Sequence, residues 1–346
     1  MDKRLGEKPV RIHASLMNPT IVTKANPVPD TLSFPDRGTY GIFVCKEGTT
    51  DKENSHKDNS WNLRASYLNN SWSYYYLDNL NTGALTSIGY TNITITARDD
   101  GKMAYLYAYA PYISDAFKFG PTAIPFSLSD NDVNLFDLMY AEENRDQTKN
   151  KDLDPLSEEI DTLEATFTFH HAMAMLEFEF NVKHYNPSSL STNSSKYKLD
   201  TIKIQKKDPT ANTTAKLFKK GFFNAKTGLF NEAQCTPVDA ISLACVSTEI
   251  SPRSTAPEKP TIARMTIVPT QVEDDELQLV FILNGMESRP VDLKKEDLKD
   301  RDGNYGFIGG YKYTFHFTLD NYLYLNGITI SDEWPTEKQN LKEIEI

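Results

Sequence analysis

The chain of 346 residues reads as an all-β protein with two β-sandwich domains in tandem. Three observations predict this. The length exceeds what one hydrophobic core usually organises, so two domains are the default. Short runs of alternating apolar residues recur from end to end with turn signals between them, while helical periodicity is scarce. The longest such run, Phe167 to Val182 (FTFHHAMAMLEFEFNV), follows a charged, apolar-poor stretch, Glu142 to Asp161, that reads as a linker. The expected units are therefore 1–160 and 161–346.

The strands can be taken in order. Val10, Ile12, Ala14 and Leu16 alternate with Arg11, His13 and Ser15. Runs at Tyr40 to Cys45, Asn92 to Thr96, Met103 to Tyr109 and Asp137 to Ala141 complete the first half. Within Phe167 to Val182 the apolar phase changes between Met175 and Leu176. A one-residue change of phase turns every later side chain to the other face, so a bulge or strand break is expected within Ala172 to Leu176. Further strands are expected at Leu199 to Gln205, Phe222 to Phe223, Ala263 to Val268, Leu277 to Leu283, Tyr311 to Thr318, Tyr322 to Leu325 and Leu341 to Ile346. Turns are expected at Asp100-Gly101, Thr227-Gly228, Asn284-Gly285, Asp302-Gly303 and Asn326-Gly327. One short helix is expected at Asp58 to Leu68, and exposed loops at Glu47 to Asn59 and Asn186 to Ser195.

A net charge of −11 argues against nucleic acid or an anionic membrane surface as the main partner. Lys203, Lys206, Lys207, Lys216, Lys219 and Lys220 form a local basic group that reads as a solvated sheet face. The three cysteines, Cys45, Cys235 and Cys245, have no metal-ligand spacing. Cys45 lies in an apolar run and reads as a buried inert thiol, while a pair between Cys235 and Cys245 stays open. No stretch is long enough to cross a bilayer as a helix. Met1 to Gly6 has no apolar signal core, so the chain is either cytosolic or has lost a targeting segment.

No catalytic motif stands out. His170 and His171 are adjacent on a strand and point to opposite faces, which suits packing better than one shared metal. Glu273-Asp274-Asp275-Glu276 reads as a solvated hairpin turn, because it lacks the spacing of a calcium loop. The carboxylates from Asp146 to Asp161 offer oxygens without coordinating spacing. There is no G-x-S-x-G, no phosphate-cradling glycine loop and no spaced Ser/His/Asp set. No cofactor is expected. The aromatic cluster Trp72, Tyr74, Tyr75 and Tyr76 either fills a core or forms a platform for sugars or proteins.

Five pieces, in order, resemble the fimbrillins, pilus subunits and adhesins of Bacteroides-type bacteria. They are Val10 to Leu16 followed by Thr23-Lys24-Ala25; the Phe167 block with its His171-Ala172 step; Asn224-Ala-Lys-Thr-Gly228; Met265 to Pro269 leading to Gln271; and Gly310-Tyr-Lys-Tyr313, followed by Ile328 to Trp334. The resemblance implies two transthyretin-like sandwiches. It also implies a non-enzymatic role as structural subunit or adhesin of a type V pilus-like fimbria, with other fimbrial subunits as partners. Export as a lipoprotein to the outer membrane, with loss of the leader, is implied as well. The family's polymerising subunits are cut after an arginine in the loop following the first strand. The matching position here is Lys24, ahead of Ala25.

Removing a strand that presents Val10, Ile12, Ala14 and Leu16 to one face would leave an apolar groove for another strand, the logic of donor-strand complementation. The candidate donor is the tail after Trp334, with Leu341, Ile344 and Ile346. The alternative from another class is a glycan-binding surface protein using Trp72 and Tyr74 to Tyr76.

Overall fold

The computed structural model describes residues 7–16, 39–46, 61–68, 71–79, 84–90, 93–96, 104–128, 136–143, 163–182, 197–250, 261–300, 303–319 and 323–331. These residues are overwhelmingly strand, with three short 3₁₀ turns. The first half contributes β1 (Glu7–Leu16), β2 (Thr39–Lys46), β3 (Leu63–Leu68), β4 (Ser71–Asn79), β5 (Ala84–Tyr90), β6 (Ile93–Thr96), β7 (Ala104–Ala110), β8 (Ile124–Ser127) and β9 (Met139–Glu143). Then follow β10 (Leu163–His171), β11 (Ala174–Val182), β12 (Tyr197–Lys206), β13 (Leu217–Phe223), β14 (Thr236–Val238), β15 (Ala240–Ile250) and β16 (Thr261–Ile267). The last are β17 (Leu277–Leu283), β18 (Met286–Glu287), β19 (Val291–Asp292), β20 (Lys312–Leu319) and β21 (Leu323–Ser331).

The first large sheet has the order β5-β4-β3-β2-β7-β9-β10-β1-β6. Its β7–β9 link is short, only Tyr109↔Tyr140 and Ala110↔Met139. The Tyr40 ring on β2 lies 5.3 Å from Phe169 on β10, although two strands separate them in the sheet order. At nearly 5 Å per strand a flat sheet would hold them about 14 Å apart, so the sheet folds over at this corner and packs on itself. The opposite faces of β2 and β7 are buried too. Phe43, Cys45, Tyr107 and Tyr109 join a continuous cluster that runs into the second half. Gly41 sits opposite Tyr109, where an added Cβ would lie 2.0 Å from the ring, so only glycine leaves room for it.

In the second half the sheet β16-β11-β20-β21 faces the sheet β15-β12-β17-β18. Phe281 of β17 meets Phe178 and Phe180 of β11 at 6.1 and 5.7 Å, and Phe317 of β20 at 4.9 Å. A third, small sheet, β14-β13-β8, crosses the halves, because β8 comes from the first and β13 from the second.

The break expected within the Phe167 block is present at Ala172–Met173, between β10 and β11. β10 completes the first large sheet and β11 enters the second half. The junction is pinned on both sides: Ala172 N–H donates to Leu138 O at 2.8 Å and Gly310 N–H to Met173 O at 2.9 Å. Gly310 has φ +83°, and a Cβ on Gly309 would lie 2.5 Å from Ala172 O.

Some expectations are corrected. Leu63 to Leu68, expected to end a helix, is β3; Leu63 and Ala65 are buried while Arg64 and Ser66 are half-buried, a period of two. Glu142 and Glu143, taken as linker, belong to β9. Asn326-Gly327 is not a turn but a bulge inside β21, where the register with β20 shifts after His316. Cys45, Cys235 and Cys245 are all buried free thiols. The tail strand Leu341 to Ile346 and the turn Asp100-Gly101 lie outside the described residues.

Candidate functional site

The first strand is enclosed on both sides. β1 runs parallel to β10 over seven paired positions, from Val10↔Leu163 to Leu16↔Phe169, and antiparallel to β6 from Glu7↔Thr96 to Val10↔Ile93. Of the predicted residues, Val10, Ile12, Ala14 and Leu16 stand opposite Leu163, Ala165, Phe167 and Phe169. Phe167 and Phe169 are buried, and their rings are 6.2 Å apart. In the sheet order β6 has β1 as its one neighbour among the described residues. Without β1, β10 would present a bare edge and β6 would lose its ladder. The slot thus needs a strand, and backbone groups on both walls set its register.

Lys24 and Ala25 lie outside the described residues, as do Leu341, Ile344 and Ile346. Trp72, Tyr74, Tyr75 and Tyr76 lie on β4, between β3 and β5. Among the described residues β4 is hydrogen-bonded to β3 and β5, and to neither β1 nor its neighbours β6 and β10. The sequence pattern marks both walls, β6 and β10, as strands but not as partners of β1. Parallel pairing across nearly the whole first half leaves no local signal.

The charged groups are mostly engaged in pairs. His171 Nδ1 lies 2.6 Å from Asp137 Oδ2 beside the Ala172 junction, and the His170 ring stacks on Tyr140 at 5.4 Å. Thr266 of β16 donates its hydroxyl to Phe136 O, tying the lead into β9 to the second half. The lysine group does not form a continuous basic surface. Lys206 meets Asp239 at 3.5 Å, Lys207 bridges Asp275 and Asp292 at 2.6 and 2.8 Å, and Lys216 meets Glu232 at 3.0 Å. In the acidic run, Glu273 to Asp275 are exposed, while the Glu276 carboxylate accepts N–H bonds from Thr214, Ala215 and Glu273. Among the described residues no group of three or more His, Cys, Asp or Glu could hold a metal ion. No helix there is long and apolar enough to cross a membrane.

Glu177 is the buried charge of the β11 face. Its carboxylate lies 2.6 Å from Arg264 Nε, 3.1 Å from Thr314 Oγ1 and 3.4 Å from Lys312 Nζ. Burial alone would raise its pKa, but Arg264, Lys312 and Thr314 outweigh it and hold the carboxyl below its ordinary value. A carboxyl with a depressed folded-state pKa stabilises the fold above its unfolded pKa and loses that contribution as pH falls through the folded one. The contribution of Glu177 should therefore decline as pH falls from an ordinary glutamate pKa near 4.5 through its lower folded value. Glu177→Gln should lower the neutral-pH midpoint and flatten the acid slope; an unchanged slope, measured from pH 7 to pH 3, would assign acid sensitivity elsewhere.

Comparison with known proteins shows the family. Residues 32–334 match the model of the fimbrillin-like family. The chain belongs to the fimbrillin-like family. β1 precedes the matched segment of this fimbrillin-like chain, whereas both walls of its slot, β6 and β10, lie inside it. No protein with a curated description matches. Among solved structures, a candidate cell adhesion protein from Bacteroides uniformis is 16% identical, with TM-score 0.47, over 86% of this chain and 93% of that one. A fimbrial protein from Bacteroides vulgatus is 14% identical, with TM-score 0.47, over 93% and 99%. The tip fimbrial protein Mfa3 from Porphyromonas gingivalis, with a C-terminal truncation, is 8% identical, with TM-score 0.43, over 95% and 100%.

Proposed function

We propose that this fimbrillin-like chain is a non-enzymatic structural subunit or adhesin of a bacterial surface fimbria, made of two transthyretin-like sandwiches in tandem. Its precursor is exported as a lipoprotein to the outer membrane. Other subunits join it by proteolytic activation and donor-strand exchange. The observation that carries this reading is the position of β1, hydrogen-bonded on one side to β10 and on the other to β6. A strand so held leaves, on removal, a gap that only another strand can fill. Cleavage after Lys24, ahead of Ala25, would convert β1 from a covalent part of the sheet into a replaceable one. The incoming strand is the tail of another subunit, with Leu341, Ile344 and Ile346 supplying its apolar side chains.

The test is native trypsin treatment of the wild type and of a deletion of Leu341 to Ile346, followed by light scattering. The wild type should form multimers once Lys24 is cut, and the deletion should stay monomeric while remaining folded. Equal multimers from both, or none from either after complete cleavage, would remove the tail as donor. Retention of the uncut monomer on a glycan array would favour instead the reading built on Trp72 and Tyr74 to Tyr76.

A further inference from the structure

The two halves are threaded so that tension along the chain meets them in different geometries. Tension from the N-terminal side reaches β1 at Glu7 and leaves β10 at His171. Because β1 and β10 are parallel, with Val10↔Leu163 at one end and Leu16↔Phe169 at the other, these two points lie at opposite ends of the paired strands. The pull therefore runs along the strands, and all seven paired positions resist it together. β6, antiparallel on the other side of β1, adds four more paired positions loaded along the same axis.

The second half is loaded differently. Tension enters β11 at Ala174 and leaves β21 at Ser331. Met175 pairs with Lys312, and Lys312 pairs with Ser331, so both points lie at the same end of the sheet, with β20 between them. A pull there opens the β20–β21 ladder from Lys312↔Ser331 inward, one pair after another. Breaking bonds in sequence needs less force than breaking them at once, since the barrier to forced unfolding is then crossed in small steps. β21 is also the outermost strand of its sheet among the described residues, and it carries a bulge at Asn326, opposite the His316–Phe317 step of β20, that weakens its ladder.

We propose that the chain is a two-stage tension element: the second half yields first by peeling from β21, while the parallel β1–β10 pair clamps the first half in shear. A strand exchanged into the β1 slot in the same orientation would inherit the clamp when pulled by its N-terminal end. A C-terminal tail is attached to its own subunit by that end. This last point rests on the fimbrial reading; the load path through a single intact chain does not, so a failed test below would leave strand exchange untouched.

The experiment is force spectroscopy on the full uncut chain held at Met1 and Ile346. Two unfolding events are expected, the stronger at several times the force of the weaker. To assign them, about ten glycines are inserted between Asn284 and Gly285, an exposed hairpin turn where a Cβ on Gly285 would meet nothing within 4 Å. The insertion lengthens the extension of the second-half event alone, by about 36 Å. A second insertion at the exposed Ala211–Asn212 loop gives an independent assignment should the first disturb folding. The proposal requires that the weaker event lengthen and the stronger stay constant. Lengthening of the stronger event, equal forces for the two, or one merged event would overturn it.

Discussion

Replacing Phe281 by alanine should destabilise the chain by about 3–5 kcal/mol, the range for emptying a fully buried aromatic site. Phe281 is completely buried on β17 and is a point of contact between the two sheets of the second half, through Phe178, Phe180 and Phe317. These partners stand on β11 and β20, strands fixed by their own parallel ladder, so they cannot collapse into the space left behind. Edge-to-face ring contacts add roughly 0.5–1.5 kcal/mol per pair beyond area burial. Phe281→Leu should recover a large part of the loss. A denaturant titration showing less than about 1 kcal/mol for the alanine variant would mean that the two sheets do not pack through this ring.

The second large effect concerns the strand that bridges the halves. Ile124 is fully buried on β8 and pairs with Phe223 of β13, while Phe126 on the same strand sets its ring 5.3 Å from Phe230. Neighbouring bonds reinforce the bridge: Leu128 N–H donates to Lys219 O at 2.6 Å and Ala225 N–H to Pro121 O at 2.8 Å. Ile124→Asp would put a carboxylate without a partner in this place, at a cost on the order of 4 kcal/mol or more. It should also uncouple the halves. With Trp72 and Trp334 replaced by phenylalanine, the fluorescence of Trp61, buried in the first half, would then report a transition separate from the far-UV signal of the whole chain. Coincident transitions in the variant would show that the continuous core, rather than β8, holds the halves together.

The sequence carried much of this fold where alternation and burial agree. Leu277, Leu279 and Phe281 are buried on one face of β17, and that strand has the bounds its pattern predicts. Asn284-Gly285 is a genuine turn because both residues take positive φ, 52° and 74°. Asn326-Gly327 has the same letters, yet there the chain stays in the ladder with β20, and tertiary pairing overrides the local preference. β15 is not among the expected strands although its pattern is a period of two: Ile241, Leu243 and Cys245 are buried, while Ser242 is half-buried and Ala244 exposed. The candidate site was half legible. The pattern from Val10 to Leu16 marks a strand with one apolar face, but its parallel neighbour β10 lies far along the chain, and only the folded structure puts the two together.

The proposed exchange requires β1 to leave its slot before subunits can join, and a reversible lock tests this directly. Ser15 and Thr168 are register partners on β1 and β10, at the separation of neighbouring strands that a disulfide can span. Cysteines at both positions should cross-link on oxidation, while Cys45, Cys235 and Cys245 stay buried. After complete cleavage at Lys24, the oxidised double variant should remain monomeric, and reduction should restore multimers to the wild-type extent. Multimers of equal size from the oxidised and reduced forms would contradict the account, because subunits would then be joining with β1 still in its slot.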